Sequence, residues 1–309
     1  MTQRILPTLL ITAATAGALG VGHVARSSLD RPDPQPTASE APLLDDNRPR
    51  IDVVFVLDTT GSMGGLLEGA KQKIWSIANR IVSGQPRPDV RFGLVGYRDR
   101  NDAYVTKITS LTRDMDAVHE ELTLFRANGG GDGPEDVNAA LASAIHSQPW
   151  DSAQNTLRLV FLVGDAPPHD DYDGPKSWEL AARAREKGII INTVQCGAMG
   201  GTANAWKRIA QVAGGAFDAI SQDGGVEIAS TPFDGELSEL NRELAGTVIS
   251  YGSKRARARS KAKMARRSSL DSSRGAAAAA YNAKAGRMNN EDLLTQLGDG
   301  KVKLDALDE

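Results

Sequence analysis

A mostly apolar run at residues 51–58 ends on an aspartate, and no other feature constrains the fold of this chain as strongly. The run contains Val, Ile and Phe without helical spacing, a pattern typical of a strand that is buried on both faces of a parallel sheet. Open α/β sheets bind their ligands at the carboxyl ends of such strands. Here Asp58 ends the strand, and Thr60 and Ser62 follow it on a tight, Gly-containing turn. The sequence therefore predicts three oxygen donors at a ligand-binding edge.

The chemistry of these three donors favours a hard cation. Carboxylate and hydroxyl oxygens, without Cys or His, suit Mg²⁺, which accepts one or two carboxylates and retains several waters. The structural alternative is that Asp58 only caps the strand and that Ser62 only caps the helix that follows. The rest of the chain helps to decide between these two interpretations.

Three further acidic side chains are expected at the same edge of the sheet. Asp99 follows the second predicted strand, Glu135 lies in a Gly-rich loop at 128–135, and Asp165 follows the fourth strand. Because the carboxyl ends of parallel strands share one edge, we expect these acids to approach Asp58. Carboxylates that gather without a cation raise each other's pKa values, and a bound divalent ion relieves that repulsion. The glycines of the loop fit this picture, since backbone packed around an ion needs positive φ.

Strand and helix patterns alternate from about residue 51 to residue 250. Such alternation predicts an α/β fold, in which a doubly wound, mostly parallel sheet carries helices on both faces. The strands are expected at 51–58, 90–97, 104–110, 157–164, 189–196 and 216–220, and the helices at 66–81, 114–125, 134–146, 175–187 and 203–213.

The chain divides into four segments by composition. Residues 1–28 join a basic start to an uncharged apolar stretch, which predicts a signal peptide or an N-terminal membrane anchor. Residues 29–49 predict a Pro-rich linker, residues 50–250 the α/β domain, and residues 251–309 a basic, partly helical C-terminal extension. We therefore expect an exported protein that is periplasmic, at the cell surface or secreted, with membrane attachment through the N-terminal segment if it is retained.

Charge and cysteine content exclude several classes of function. A net charge of −3 and a pI of about 5.9 show no bias toward nucleic acid. The single Cys196 excludes an internal disulfide framework and a thiolate metal cluster. Residues 254–267 carry eight cations and no acid. We expect this basic run to be a solvated helical face outside the core, with docking to an acidic partner or an anionic membrane as the functional alternative.

The segment Asp58-Thr-Thr60-Gly-Ser62 resembles the D-x-[ST]-x-S signature of the von Willebrand factor type A (vWA) domain, whose metal-ion-dependent adhesion site binds Mg²⁺. The resemblance implies the Rossmann-like vWA fold, a six-stranded sheet with one antiparallel edge strand. The loop lacks the Thr usual in the family, and its Asp-Gly-Pro-Glu segment resembles the D-x-P-E loop of integrin β-subunit I-like domains, where the Glu is a ligand. The implied metal ligands are Asp58, Thr60, Ser62, Glu135 and Asp165.

The integrin-like loop also implies a second ion. In those domains an adjacent Ca²⁺ site uses an acid after the second strand, the loop acid, a Pro carbonyl and the shared Glu. The matching positions in this chain are Asp99, Asp132, Pro134 and Glu135. A loop Asn of that site matches Gly130, which lacks a side chain. The resemblance thus implies Mg²⁺ or Mn²⁺ at the first site and Ca²⁺ at the second.

Two functions from different classes remain open. In the vWA family the ion keeps an open position that an acidic side chain of a protein partner completes, which implies a non-enzymatic, metal-dependent module for adhesion or assembly in the cell envelope. The alternative is a haloacid-dehalogenase-like phosphatase, whose phosphorylation motif is also similar to residues 58–62 and in which Asp58 would be the nucleophile. Against this alternative, Thr60 replaces the second Asp of that motif, and its Lys is missing.

Overall fold

The computed structural model describes residues 48–131, 133–222, 231–285, 289, 291–298 and 300–304. The predicted signal peptide or anchor at 1–28, and the predicted linker as far as residue 47, lie outside the described residues. Within the described part, no helix is both long enough and apolar enough to cross a bilayer.

A six-stranded sheet forms the centre of the described α/β region. Its strands are β1 (Arg50–Asp58), β2 (Asp89–Tyr97), β3 (Thr106–Thr112), β4 (Thr156–Gly164), β5 (Ile189–Cys196) and β6 (Phe217–Ile220), in the order β3-β2-β1-β4-β5-β6. β1 pairs in parallel with β2 and β4, and the parallel arrangement continues through β5 to β6. β3 is antiparallel to β2 at one edge. The predicted mostly parallel sheet with one antiparallel edge strand is therefore confirmed.

Helices cover both faces of this sheet, as predicted. They are α1 (Gly64–Val82), α2 (Met115–Leu124), α3 (Val137–His146), α4 (Ser177–Glu186), α5 (Thr202–Ala213), α6 (Asp234–Gly246), α7 (Lys254–Ser268), α8 (Ser272–Ala285) and α9 (Leu293–Gly298). One apolar core lies between the sheet and α3, α4 and α5, and a second lies between the sheet and α1, α2 and α8. Central strands buried on both faces explain why β1 alternates so weakly between polar and apolar residues.

The helix α3 begins three residues later than the sequence pattern predicts, and this position matters for the site. Asp136 caps it, because its side chain accepts a hydrogen bond from the Ala139 amide at 2.8 Å. Glu135 therefore stays outside the helix, on a loop that reaches the edge of the sheet. A bridge between Glu135 and Pro168 fixes that loop against the segment that follows β4.

The C-terminal segment packs on the α/β domain, so the expectation of a solvated basic face is wrong for part of it. Lys263 and Arg267 on α7 are buried and form ion pairs with Asp116 near the start of α2. On α8, Tyr281 is buried against Trp75 of α1, with ring centroids 5.5 Å apart. Basic residues four positions apart share one face of a helix, which lets α7 present two cations to the domain.

Candidate metal centre

The turn after β1 orients the Asp58 carboxylate. Asp58 is fully buried, and its Oδ1 accepts hydrogen bonds from the Thr60 amide at 2.9 Å and from the Thr60 hydroxyl at 2.6 Å. Its second oxygen, Oδ2, is buried without a hydrogen-bond partner. The turn therefore holds one carboxylate oxygen in place and leaves the other available to a ligand.

Two more carboxylates come to this turn from separate loops. Glu135 is held by its own backbone, since its amide donates to the Pro167 carbonyl at 3.0 Å and its carbonyl accepts from the His169 amide at 3.2 Å. Asp165, at the end of β4, is also buried. Glu135 Oε2 and Asp165 Oδ1 both lack a hydrogen-bond partner, as Asp58 Oδ2 does. Buried polar atoms are normally paired, so three unpaired carboxylate oxygens at one sheet edge require an explanation.

Two glycines allow the carboxylates and the backbone to approach closely. A Cβ atom at Gly164 would lie 2.4 Å from the Tyr97 hydroxyl and 3.0 Å from Asp58 Cβ. At Gly130, φ is +77°, and a Cβ atom would lie 3.0 Å from Glu135 Oε1. Both positions need glycine because a side chain would clash there, and Gly130 also has a positive φ that other residues rarely adopt.

The electrostatics of the cluster are those of acids gathered without a cation. Burial raises the pKa of Asp58 to about 7, and the charge of Asp165 adds to the rise, although hydrogen bonds from Thr60 oppose it. Burial raises the pKa of Glu135 to about 9, and the neighbouring charges of Asp58 and Asp99 raise it further. The pKa of Tyr97 is raised well above its ordinary value, first by burial and then by the same carboxylates. A bound cation would oppose these shifts, because its positive charge favours the ionised carboxylates.

The donor set fits a hard divalent cation. Carboxylate and hydroxyl oxygens are the ligands that Mg²⁺ and Mn²⁺ prefer, and the unpaired oxygens of Asp58, Glu135 and Asp165 supply the charge. Within the described part of the chain, no three Asp, Glu, His or Cys side chains are arranged to hold an ion by themselves. An ion here would therefore also depend on the Thr60 and Ser62 hydroxyls and on water. Ser62 lies exposed on the short helical turn between β1 and α1.

Asp99, which is predicted to bind a second ion, already has a hydrogen-bond donor, unlike the free oxygens of the first site. Both oxygens of Asp99 lie 2.8 Å from the Tyr172 hydroxyl, which donates to them. Tyr172 stacks on His169 with ring centroids 3.9 Å apart, and the Arg100 guanidinium lies 3.8 Å from the Tyr172 ring centroid. Asp132 lies outside the described residues. Side chains of the loop after β4 thus hold Asp99.

Sequence reasoning missed three contributors to this centre. Tyr97 pairs with Asp58 in the register of β1 and β2, so its position at the end of β2 was the available signal. Gln222, just beyond β6, donates from Nε2 to Asp165 Oδ2 at 2.6 Å and to the Ser62 carbonyl at 3.2 Å. Tyr172 covers Asp99. No motif marks Gln222 or Tyr172, because each reaches the site through the tertiary fold.

Comparison with known proteins identifies the domain. A family model described as von Willebrand factor A domain matches residues 52–228, a segment that holds Asp58, Glu135 and Asp165. The chain belongs to the von Willebrand factor A domain family. Proteins with a vWA domain typically use it for protein–protein interaction. In this vWA domain, the cluster of Asp58, Glu135 and Asp165 lies at the edge of the sheet where the first helix begins.

The relatives of this vWA protein are much longer than the matched segment. The chain is 32% identical over 120 residues to the alpha-protein kinase vwkA of Dictyostelium discoideum, covering 38% of this chain and 19% of that protein. It is 37% identical over 131 residues to von Willebrand factor A domain-containing protein 7 of Rattus norvegicus, covering 41% and 13%. The chain therefore spans less than a fifth of the length of these curated relatives.

Solved structures show distant likenesses to this vWA protein. BatB from Bacteroides thetaiotaomicron is 15% identical with a TM-score of 0.41, covering 56% of this chain and 90% of that one. Proximal thread matrix protein 1 from the mussel byssus, solved with a zinc-occupied MIDAS motif, is 16% identical with a TM-score of 0.43, covering 57% and 43%.

Proposed function

We propose that this vWA domain binds a protein partner through a divalent ion held by Asp58, Thr60, Ser62, Glu135 and Asp165. The observation that carries the proposal is the presence of three buried carboxylates at one sheet edge, each with an oxygen that lacks a hydrogen-bond partner. Mg²⁺ or Mn²⁺ bound there supplies a Lewis-acidic position that an acidic side chain of the partner completes.

The residues of this chain have distinct roles in that site. Thr60 fixes Asp58 by holding its Oδ1, which leaves Oδ2 for the ion. Gln222 holds one oxygen of Asp165 in the same way. The Glu135 loop is fixed by backbone hydrogen bonds rather than by its side chain. The Asp58 and Asp165 carboxylates are therefore oriented before an ion binds, and the backbone of Glu135 is fixed, which reduces the entropy cost of assembling the site.

The experiment that tests this function is partner capture from the envelope fraction of the source organism. We expect capture with Mg²⁺, loss of capture with a chelator, and competition by an acidic peptide but not by its amide counterpart. Asp58→Ala should abolish capture. Asp170→Ala, which removes an exposed acid from the loop after β4, is the matched control and should retain it. Capture that survives both the chelator and Asp58→Ala would contradict the proposal.

We propose a second ion, Ca²⁺ at Asp99, Asp132, the Pro134 carbonyl and Glu135, which would compete with the Tyr172 hydroxyl for the oxygens of Asp99. If such an ion binds, Tyr172→Phe should strengthen Ca²⁺ binding measured in saturating Mg²⁺, because it removes the competing donor. A titration that resolves one ion in the wild type, unchanged by Asp99→Ala, would remove the second site.

A non-enzymatic role fits the surroundings of Asp58 better than the phosphatase alternative. Lys107, the only lysine between residues 74 and 175, places its ammonium 4.4 Å from the Tyr104 ring centroid instead of beside Asp58. Phosphatase activity that is lost in Asp58→Asn would restore the alternative.

We place this activity outside the cytoplasm, in the periplasm, at the cell surface or in the secreted fraction. The support is the sequence pattern of residues 1–28 and the Pro-rich segment that follows. Fractionation of the source organism with an antibody to the domain tests this location, and recovery from the cytoplasmic fraction alone would contradict it.

A further inference from the structure

The helix α6 is oriented with its small and polar side toward the protein. Its buried residues are Ser238, Asn241 and Ala245, and the first two contact α8. The contact is close, since a Cβ atom at Gly275 would lie 2.2 Å from Ser238 Oγ. Asn282 of α8 donates to the Asn241 side chain at 3.3 Å. These contacts fix which side of α6 faces the domain.

The large apolar residues of α6 lie on its outer flank as a result. Leu237 is 37% exposed, Leu240 46% and Leu244 54%, and Phe233, which directly precedes the helix, is 65% exposed. Their spacing of four, three and four residues is that of the a and d positions in a helix that packs against another helix. Two more exposed apolar residues follow α6: Ile249, whose carbonyl accepts from the amide of Leu293, and Leu294 next to it. A row of exposed large apolar side chains such as that on α6 indicates an interface.

The charges on α6 define the partner that would cover this flank. Three exposed acids, Glu236, Glu239 and Glu243, lie on α6, and Glu239 pairs with Arg242 of the same helix. Two copies of α6 facing each other would bring the remaining acids, Glu236 and Glu243, together. The partner helix should therefore be basic and should offer a smooth apolar ridge to the leucines.

This chain carries such a helix on α7. Its face opposite the buried Ser260, Lys263 and Arg267 exposes three alanines at the same four-and-three spacing, flanked by exposed cations. The alanines are Ala258, Ala262 and Ala265, and the cations without an ion-pair partner among the described contacts include Lys254, Arg255 and Lys261. A small-residue ridge lets a leucine row approach closely, and the opposite charges then lie beside it.

We infer that this protein self-associates into a symmetric dimer in which α6 of one copy packs against α7 of the other. Because α6 and α7 of one chain are in contact, a two-fold axis near both helices forms the α6–α7 contact twice. The leucine row supplies apolar burial, and the paired charges select the α7 face over a second α6.

Charge exchange in the full chain tests this inference. One variant places two cations on α6 opposite the cations of α7 (Glu236→Lys with Glu243→Lys), and the other places two acids on α7 opposite the acids of α6 (Arg255→Glu with Lys261→Glu). The wild type should dimerise in sedimentation equilibrium, while each variant alone should show a dimer Kd raised about tenfold or more, the change that about 1.4 kcal/mol produces. Mixing the two variants should restore a dimer that contains one copy of each, detected by native mass spectrometry.

Contact truncation gives a second test. Leu240→Ser with Leu244→Ser should weaken the dimer, whereas Ile108→Ser with Leu157→Ser, which removes apolar residues of similar exposure from the sheet, should not. Circular dichroism and thermal melting confirm that each variant folds. A monomeric wild type, as expected if another protein or a membrane covers α6, would overturn the inference. So would association that both charge variants retain, as expected if residues 1–28 cause it.

Discussion

Arg267 and Asp116 form a buried ion pair across 151 residues of sequence, with Arg267 Nε donating to Asp116 Oδ1 at 2.6 Å. The same carboxylate lies 2.9 Å from the Lys263 ammonium. The pair joins the C-terminal helices to α2, so these helices are part of the folded unit. A buried charge that loses its partner strongly destabilises a fold, so α7 packs on the domain only if Arg267 and Asp116 are both present.

Removal of the Arg267 side chain should strongly destabilise the protein. Arg267→Ala leaves Asp116 buried with less compensation, and breaking a buried pair costs about 3–5 kcal/mol. Arg266→Ala is the matched control, because Arg266 is the next residue and pairs with Glu120 at the surface, where such a pair contributes about 0–1 kcal/mol. Urea unfolding of both variants measures the difference. Equal losses in the two variants would show that the buried pair has no special role.

The same pair predicts how stability depends on acidity. Burial alone would raise the pKa of Asp116, but the charges of Arg267 and Lys263 outweigh it and hold the pKa below the ordinary value of 3.8. A depressed carboxyl pKa stabilises the fold above the unfolded pKa, and this contribution is lost as the pH falls through the folded pKa. Asp116→Asn should therefore be less stable than wild type at pH 7, and the gap in unfolding free energy should narrow below about pH 4. A gap that stays constant with pH would contradict this.

Metal binding should strengthen as the pH rises. In the metal-free protein the pKa values of Asp58 and Glu135 are raised to about 7 and about 9, so the folded state holds protons that the unfolded chain has lost. These groups then lower stability as the pH rises above about 4, and Mg²⁺ removes the penalty by replacing the protons. The rise in Tm that Mg²⁺ produces should be larger at pH 8 than at pH 5. Calorimetry in buffers of different ionisation enthalpy should show proton release, and a larger Mg²⁺ effect at pH 5 would refute the coupling.

The Gly-rich loop offers a matched pair of neighbouring positions. Gly130 has φ at +77° and approaches Glu135, whereas a Cβ atom at Gly131 would meet nothing within 4 Å. Gly130→Ala should cost about 1–2 kcal/mol from its left-handed conformation alone and should weaken Mg²⁺ binding. Gly131→Ala should change stability by less than about 0.5 kcal/mol. Thermal melts with and without Mg²⁺ measure both effects, and equal behaviour of the two variants would argue against the loop geometry.

The fold and the main acidic positions could be predicted because they follow local rules. An apolar run that ends on Asp58 indicates a buried parallel strand, and the carboxyl ends of such strands share one edge of the sheet. Asp58 and Asp165 therefore appear together in the sequence argument and in the structure. The same rule also brought Asp99 to this edge, but it could not indicate that the Tyr172 hydroxyl holds that carboxylate.

The remaining contacts depend on pairings between distant segments. Apart from Met264, the run at 254–267 has no large apolar residue, so its pattern is typical of a solvated helix. Lys263 and Arg267 are buried because they form ion pairs with Asp114 and Asp116 at the start of α2. The sequence of the basic run does not indicate where these acids lie in the fold. Gln222 reaches Asp165 in the same way, from beyond the last strand.

Direct titration of the purified chain with Mg²⁺ tests the central claim most closely. We expect the wild type to bind Mg²⁺ at this site by isothermal titration calorimetry, with Asp58→Ala and Glu135→Ala each losing that binding and Asp170→Ala retaining it. All four proteins should show the same far-ultraviolet circular dichroism. If the wild type bound no divalent ion, or if Asp58→Ala bound it as well as the wild type, the three unpaired carboxylate oxygens would not form a metal site.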